Sequence, residues 1–340
     1  MLKVGLVGFG FMGSAHTGIY RKMNDVKLAT VCDIDIEKVK KCQFTAGNIG
    51  SGNTVDLSGV KITDNFDELI NSPEIDIIDI TLPSYLHSKF AVKALNAGKH
   101  VLCEKPMALT IKECDDMINA AKKSKKKFMI AQCIRFWPEY VFLRDSIKSK
   151  KYGKLLTLSF RRISGTPIWS SRNWLMDEKK SGGAIMDLHI HDVDFVVNLF
   201  GKPKEIFSFG KTDVVKKRNG VDYVNTRYSF NNNALVTAEC GWQYSGPFPF
   251  AMSFIAHFEK ATVMMDGFLG KPFGVYHLNG NAEYPELEKT DGTSEEIKYF
   301  IDCVINDKKI AVSTPEESKI AVQLALAEKK SIVTNKTIKI

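Results

Sequence analysis

"VGLVGFGFMGSAH", residues 4–16, decides the fold. An apolar run at 4–7 leads directly into Gly8, Gly10 and Gly13, spaced G-x-G-x-x-G, and helix-compatible residues follow. In that order each glycine has its own physical task. Gly8 permits a tight turn off the strand, Gly10 lets a phosphate approach the main chain, and Gly13 lets the next helix pack closely on the strand. The helix N-terminus then offers free N–H groups and a positive dipole end to an anion.

The glycines alone are a weak signal, and the second strand-like run supplies the context. "VKLATVCD" (26–33) ends at Asp33, twenty residues beyond Gly13, where a carboxylate accepts hydrogen bonds from an adenosine ribose. The expected dinucleotide contacts are therefore Gly8, Phe9, Gly10, Phe11, Met12, Gly13, Asp33 and Ile34. Asp33 would repel a 2'-phosphate, and Ile34 and Asp35 bring no cation to counter it, so NAD is expected in preference to NADP. Lys38, on the next helical stretch, is the side chain that could reach back and weaken that preference.

Working outward, "KVGLVG", "VKLATVCD", "IDIIDITL", "HVLCEK" and "KFMIAQ" alternate with helical patterns as far as residue 132. Strands alternating with helices predict a doubly wound α/β half with a parallel sheet, a Rossmann domain over 1–132. Helix starts are marked by Asn65 three residues before Glu68 and by Thr110 three before Glu113. A helix at about 138–150 serves as connection. Beyond it, "LLTLSFRRI", "EIFSFG", "VNTRYSF", "ALVTAECGW" and "FAMSFIAHF" are close-set strands, which predict an α+β domain over 151–340 with a large, mostly antiparallel open sheet. Helices are expected at about 293–306 and 315–333, the second opened by Thr314, Pro315 and Glu317.

Bulk properties agree with two soluble domains. The chain has 340 residues, 44% hydrophobic and 25% charged. No apolar run approaches the roughly 18 residues that span a bilayer, and the start lacks the basic region of a signal peptide. A cytoplasmic location is the expectation. The seven cysteines are scattered without a C-x-x-C pair, which argues against a disulfide framework or zinc ribbon. The net charge of +8 comes largely from lysine clusters at 122–127 and 148–154 with no interleaved aromatics, so no nucleic-acid partner is expected.

Two further stretches carry chemistry. "HVLCEKPMALT" ends a strand with Glu104, Lys105 and Pro106, at the carboxyl edge where open parallel sheets bind ligands. Thr81, Pro83 and His87 follow the neighbouring strand, and with Glu104, Lys105 and Pro106 they are expected near the nicotinamide end of the cofactor. A cis bond at Pro106 would aim Lys105 into the cleft. "GGAIMDLHIHDVDF" (182–195) has a His-x-His pair of the kind that holds metals. The apolar spacing predicts a helix over 183–200, on which Asp187 and His191 share a face while His189 points roughly 160° away from His191. No metal is therefore expected there.

The G-x-G-x-x-G motif, "LPSYLHSKFAVKALNAGKHVLCEKPMALT" (82–110), "NWLMDEKKSGGAIMDLHIHDVD" (173–194) and the closing "TPEESKIAVQLALAEKKSI" (314–332) together resemble the glucose-fructose oxidoreductase, inositol dehydrogenase and MocA (Gfo/Idh/MocA) superfamily. The resemblance implies that Lys105, Asp187 and His191 are the catalytic set. His191 would move the proton, Lys105 would hydrogen-bond the reacting oxygen, and Asp187 would orient the histidine or bind a second hydroxyl. It also implies that Arg135, Trp137, Asn173 and Trp174 line the substrate pocket with His191. At 189 the commonest form of the family has a small residue, so His189 is a departure. The implied function is an NAD-dependent dehydrogenase of a cyclic polyol or sugar, working as a homodimer or homotetramer. An NADP-dependent sugar reductase, a glycosidase using NAD transiently and a non-catalytic dinucleotide sensor remain the alternatives.

Overall fold

A computed structural model describes residues 1–42, 55–168, 170–212, 220–231, 234–245, 248–267 and 273–340. The first sheet has strands β1 (Leu2–Val7), β2 (Val26–Cys32), β3 (Lys61–Thr63), β4 (Ile77–Ile80), β5 (His100–Glu104) and β6 (Phe128–Ala131). Every pairing is parallel and the order is β3-β2-β1-β4-β5-β6. Helices α1 (Phe11–Tyr20), α2 (Ile36–Lys40), α3 (Phe66–Asn71), α4 (His87–Asn96) and α5 (Ile111–Ser124) make the crossovers. β4 and β6 are buried along their whole length, as expected for near-continuous apolar runs covered on both faces. The order reverses direction between β1 and β4, which opens a crevice at their carboxyl ends.

The predicted helix starts are present. Asn65 Oδ1 accepts from Glu68 N at 3.0 Å, Thr110 Oγ1 accepts from Glu113 N at 3.2 Å, and Thr314 with Glu317 forms a full capping box. Each such cap contributes about 1 kcal/mol by satisfying a main-chain donor that the helix cannot.

After α6 (Pro138–Ser149), the chain builds a second sheet from β7 (Leu155–Gly165), β8 (Glu205–Thr212), β9 (Val221–Ser229), β10 (Leu235–Tyr244), β11 (Ala251–Phe258), β12 (Ala261–Asp266), β13 (Phe273–His277), β14 (Ala282–Glu283) and β15 (Ile338–Lys339). Among the described residues its order is β14-β13-β12-β11-β7-β10-β9-β8-β15. Only the β7–β10 pairing is parallel. Burial alternates along β12, so one face packs on the core while the other stays open.

Two local readings are corrected. Residues 183–200 do not form one helix: a short helix α7 (Glu178–Ser181) precedes a π-turn at Ile185–His189, and α8 (Ile190–Phe200) follows. The second correction concerns α9 (Gly292–Ile305), assigned from sequence to the second domain. Its Ile297, Phe300 and Ile301 share one core cluster with Val4 and Leu6 of β1 and Leu28 of β2. Each such buried side chain contributes about 1.5–3 kcal/mol, so α9 is anchored to the first sheet. The final helix, α10 (Pro315–Thr334), contacts α5 and β6 of the first half as well as α8 and β8 of the second. Among the described residues no helix is long and apolar enough to cross a membrane.

Candidate active site

The glycine loop lies at the β1–β4 switch point. Gly8 has φ +96°, a conformation that favours glycine, and its N–H donates to Cys32 O at 2.9 Å. A Cβ on Gly13 would fall 2.1 Å from the Gly8 carbonyl oxygen, whereas one on Gly10 would meet nothing within 4 Å. Gly13 is thus required by protein packing and Gly10 by the open space beside it. α1 begins there with no side-chain cap and no acidic residue in its first turn, leaving its positive end available to an anion. Asp33 is fixed in place, because its Oδ2 accepts from Phe9 N at 2.7 Å and its Oδ1 from Asp35 N at 2.9 Å. Ile34 beside it is exposed. Thr81 Oγ1 donates to Gly8 O at 2.6 Å, so Thr81 buttresses the loop from β4. This cradle fits a dinucleotide: pyrophosphate at Gly10 and the α1 N-terminus, ribose at Asp33, and an apolar surface for the adenine at Ile34.

The second part of the site joins two distant segments. Lys105, at the end of β5, donates through Nζ to the main-chain oxygen of Asp187 at 2.6 Å and lies 3.4 Å from its Oδ1. The π-turn that carries Asp187 interrupts the regular helical ladder, a feature common at functional sites. His191 follows on α8, and its Nδ1 is shielded from solvent without a hydrogen-bond partner among the described residues. Burial, reinforced by the charges of Lys105 and Arg162, holds the imidazole well below its ordinary pKa. It is therefore neutral near pH 7 and able to accept a proton. The Lys105–Pro106 bond is cis. Lys105, Asp187 and His191 thus converge, as their order along the chain alone would not show.

Several expected contacts fall elsewhere. Arg135 is 1% exposed, and its guanidinium is taken up by Asp194 (Nε–Oδ2 2.6 Å, Nη2–Oδ1 2.8 Å) and Glu317 (Nη1–Oε2 2.7 Å). That placement corrects the pocket role expected of it: the arginine joins η-turn 133–135 to α8 and α10. Trp137 packs against α9, where a Cβ on Gly292 would strike its Cδ1 at 1.9 Å. Asn173 is exposed and Trp174 half-buried, on a 3-10 segment in which Arg172 and Asn173 adopt positive φ. No printed contact links them to Lys105, so the structure does not gather the four pocket residues into one wall.

Near the cofactor end, His87 is also a correction. Its Nδ1 lies 2.8 Å from Pro106 O and its Nε2 2.7 Å from Leu82 O; burial lowers its pKa despite both carbonyls. With both ring nitrogens occupied, His87 acts as a buried brace between the turn carrying Pro83 and the Lys105–Pro106 turn. Glu104 is 6% exposed and turns inward, with Oε2 accepting from Lys105 N at 3.0 Å and Oε1 3.3 Å from His16 Nε2.

Sequence reasoning passed over two buried polar clusters. His189 lies beside Glu328 of α10 (Nε2–Oε2 3.3 Å), which also accepts from Tyr228 OH at 2.6 Å. This group ties the π-turn to α10 and β9 and gives the unusual His189 a structural place. The other cluster comprises His16, Tyr20, Asp79, Glu104 and Glu296. Burial opposes protonation of His16, but Asp79 and Glu104 outweigh it and raise its pKa; burial, with the Glu104 charge, pushes the Glu296 carboxyl well up. Each of these residues is a single polar position inside an apolar pattern, a signal shared by many surface residues.

A dinucleotide cradle at the switch point, with lysine and imidazole at the adjoining strand end, defines a nicotinamide-dependent oxidoreductase. The chain belongs to the Gfo/Idh/MocA oxidoreductase family, whose members are NAD(P)-dependent dehydrogenases: the NAD-binding Rossmann-fold family model matches residues 2–132 and the family's C-terminal domain model residues 140–264. It is 25% identical over 354 residues to the myo-inositol 2-dehydrogenase of Thermotoga maritima, covering 100% of this chain and 98% of that protein. It is 30% identical over 196 residues to the inositol 2-dehydrogenase/D-chiro-inositol 3-dehydrogenase of Lactiplantibacillus plantarum, covering 56% of this chain and 50% of that protein. Among solved structures, levoglucosan dehydrogenase in complex with NADH and levoglucosan superposes with a TM-score of 0.83 at 20% identity, over 99% of each chain. That likeness supports the fold.

Proposed function

We propose that the chain moves a hydride between NAD and a secondary alcohol of a cyclic polyol or sugar. The observation that carries this reading is the neutral, buried His191 beside Lys105 at the carboxyl end of β5. In the oxidative direction His191 accepts the hydroxyl proton as the hydride leaves the same carbon, and in reduction it returns that proton. Lys105 donates a hydrogen bond to the reacting oxygen, stabilising the negative charge that develops there. Asp187 holds Lys105 through its main-chain oxygen and presents its carboxylate to a neighbouring hydroxyl. When bound, the nicotinamide supplies the hydride acceptor.

The carboxylate of Asp33, fixed by two main-chain N–H groups, supports NAD over NADP because an added 2'-phosphate would meet its charge at close range. The polyol reading draws on the two inositol dehydrogenases among the relatives. Phe209, Leu235 and Ile255 are exposed on strands of the second sheet, which supports pairing of copies into a homodimer or homotetramer, a state that light scattering reads directly.

The test is nicotinamide absorbance over a panel of cyclic polyols and sugars with NAD and with NADP. Lys105→Ala and His191→Ala should each lower turnover about 100-fold or more while NAD binding persists. Near-normal turnover in either variant removes that residue from the mechanism. Release of a free sugar without net cofactor reduction would replace the dehydrogenase reading with a glycosidase.

A further inference from the structure

Behind Lys105, three carboxyl groups and one imidazole are enclosed between α1, the first sheet and α9. His16, Asp79 and Glu296 are all 0% exposed and Glu104 is 6% exposed. Potential ligand atoms of His16, Glu104 and Glu296 all lie within 4.8 Å of one another. Neither carboxyl oxygen of Glu296 has a hydrogen-bond partner among the described residues, and neither does His16 Nε2. Burying such groups without partners costs several kcal/mol. The arrangement therefore asks for a ligand that all three can share.

We propose that His16, Glu104 and Glu296 form a buried site for a divalent cation of the zinc class, which fastens α9 to the dinucleotide-binding sheet. His16 Nε2 and Glu104 Oε1 are 3.3 Å apart, the edge subtended by a tetrahedral ion with N and O ligands at about 2.0–2.1 Å. Although these atoms are close, they do not satisfy hydrogen-bond geometry, as expected if both point toward a common third atom.

The outer contacts match those of a metal-bound histidine. His16 Nδ1 is 2.8 Å from Asp79 Oδ2, and Tyr20 OH donates to the same oxygen at 2.9 Å. A carboxylate on the far ring nitrogen fixes the tautomer that leaves Nε2 free to coordinate and raises its basicity. Glu296 completes the set from α9, and neither of its oxygens would have to give up another bond. One imidazole and two carboxylates suit zinc or a neighbouring first-row ion. The site differs from the His189/His191 pair to which the His-x-His spacing drew attention.

The test uses the full-length protein and does not depend on activity. Metal content is measured on protein purified from zinc-supplemented cells, and again after refolding with zinc or cobalt(II) and removal of loosely bound ion. Stoichiometric metal is expected by at least one route, with a cobalt spectrum of a tetrahedral nitrogen/oxygen site lacking a thiolate charge-transfer band. Glu296→Gln should abolish stoichiometric retention, and Asp79→Asn should weaken affinity about 10–100-fold. His277→Ala, which removes the surface pair His277–Glu283 (2.9 Å), should change nothing. The proposal fails if the unmodified protein holds no metal by either route, or if Glu296→Gln and Asp79→Asn retain it undiminished. If Glu296→Gln does not fold, the cobalt spectrum of the unmodified protein decides: tetrahedral nitrogen/oxygen bands support the site, and a thiolate band or no bands overturn it.

Discussion

Replacing Gly10 and Gly13 separately by alanine should divide ligand binding from folding within one three-residue span. At Gly10 the main chain has φ −91° and ψ −155°, open to any residue, and an added Cβ meets nothing within 4 Å. Losing a flexible residue stabilises by about 0.4–1 kcal/mol through the unfolded chain, while alanine is a poorer N-cap by a similar amount. The net change should stay within about 1 kcal/mol, or under ~4 °C in Tm. The methyl group nevertheless occupies the space through which a pyrophosphate would approach. NAD affinity should fall at least about tenfold to 100-fold, equivalent to roughly 1.4–2.8 kcal/mol. At Gly13 the new Cβ would lie 2.1 Å from Gly8 O and 3.0 Å from Thr81 Oγ1. The first of these is main chain and cannot swing aside, so overpacking should cost about 3 kcal/mol or more. Calorimetric unfolding and NAD titration of both variants provide the assay: Gly10→Ala should lose binding alone, and Gly13→Ala should lose both. Wild-type NAD affinity in Gly10→Ala would refute the assignment of that open space to the cofactor.

The depressed pKa of His191 sets a signed pH dependence. In the unfolded chain the imidazole takes up a proton near pH 6.5, but in the folded protein only at lower pH, so its contribution is present above about 6.5 and lost as pH falls toward the folded value. Within that window the slope approaches about 1.4 kcal/mol per pH unit, and His191→Asn should flatten the acid limb of a stability profile; unchanged limbs would mean the ring is not buried neutral. Arg135→Met should destabilise by about 3–5 kcal/mol, because it leaves Asp194 buried without its partner. A raised KM at unaltered Tm would instead return Arg135 to the substrate pocket.

What could be read from the sequence was what local chemistry dictates. Gly8, Gly10, Gly13 and Asp33 were legible because turn, helix start and ribose contact lie within about thirty residues of chain whose spacing βαβ geometry fixes. The caps at Asn65, Thr110 and Thr314 were legible for the same reason: each is a hydrogen bond closed over three residues. Lys105, Asp187 and His191 could be nominated by resemblance, but only the fold brings Lys105 Nζ to the Asp187 carbonyl across 82 positions of chain. Arg135 shows the limit from the other side. A guanidinium beside tryptophan reads as a ligand donor in sequence, and its true partners, Asp194 and Glu317, lie 59 and 182 residues away. Glu296 was invisible until α9 packed on α1, because a lone glutamate in an amphipathic helix acquires chemical meaning only from what surrounds it after burial. Local spacing encodes groups that touch through the main chain within a turn or a βαβ unit; the partners of a buried charge are chosen by long-range packing, which leaves no periodic trace in the sequence.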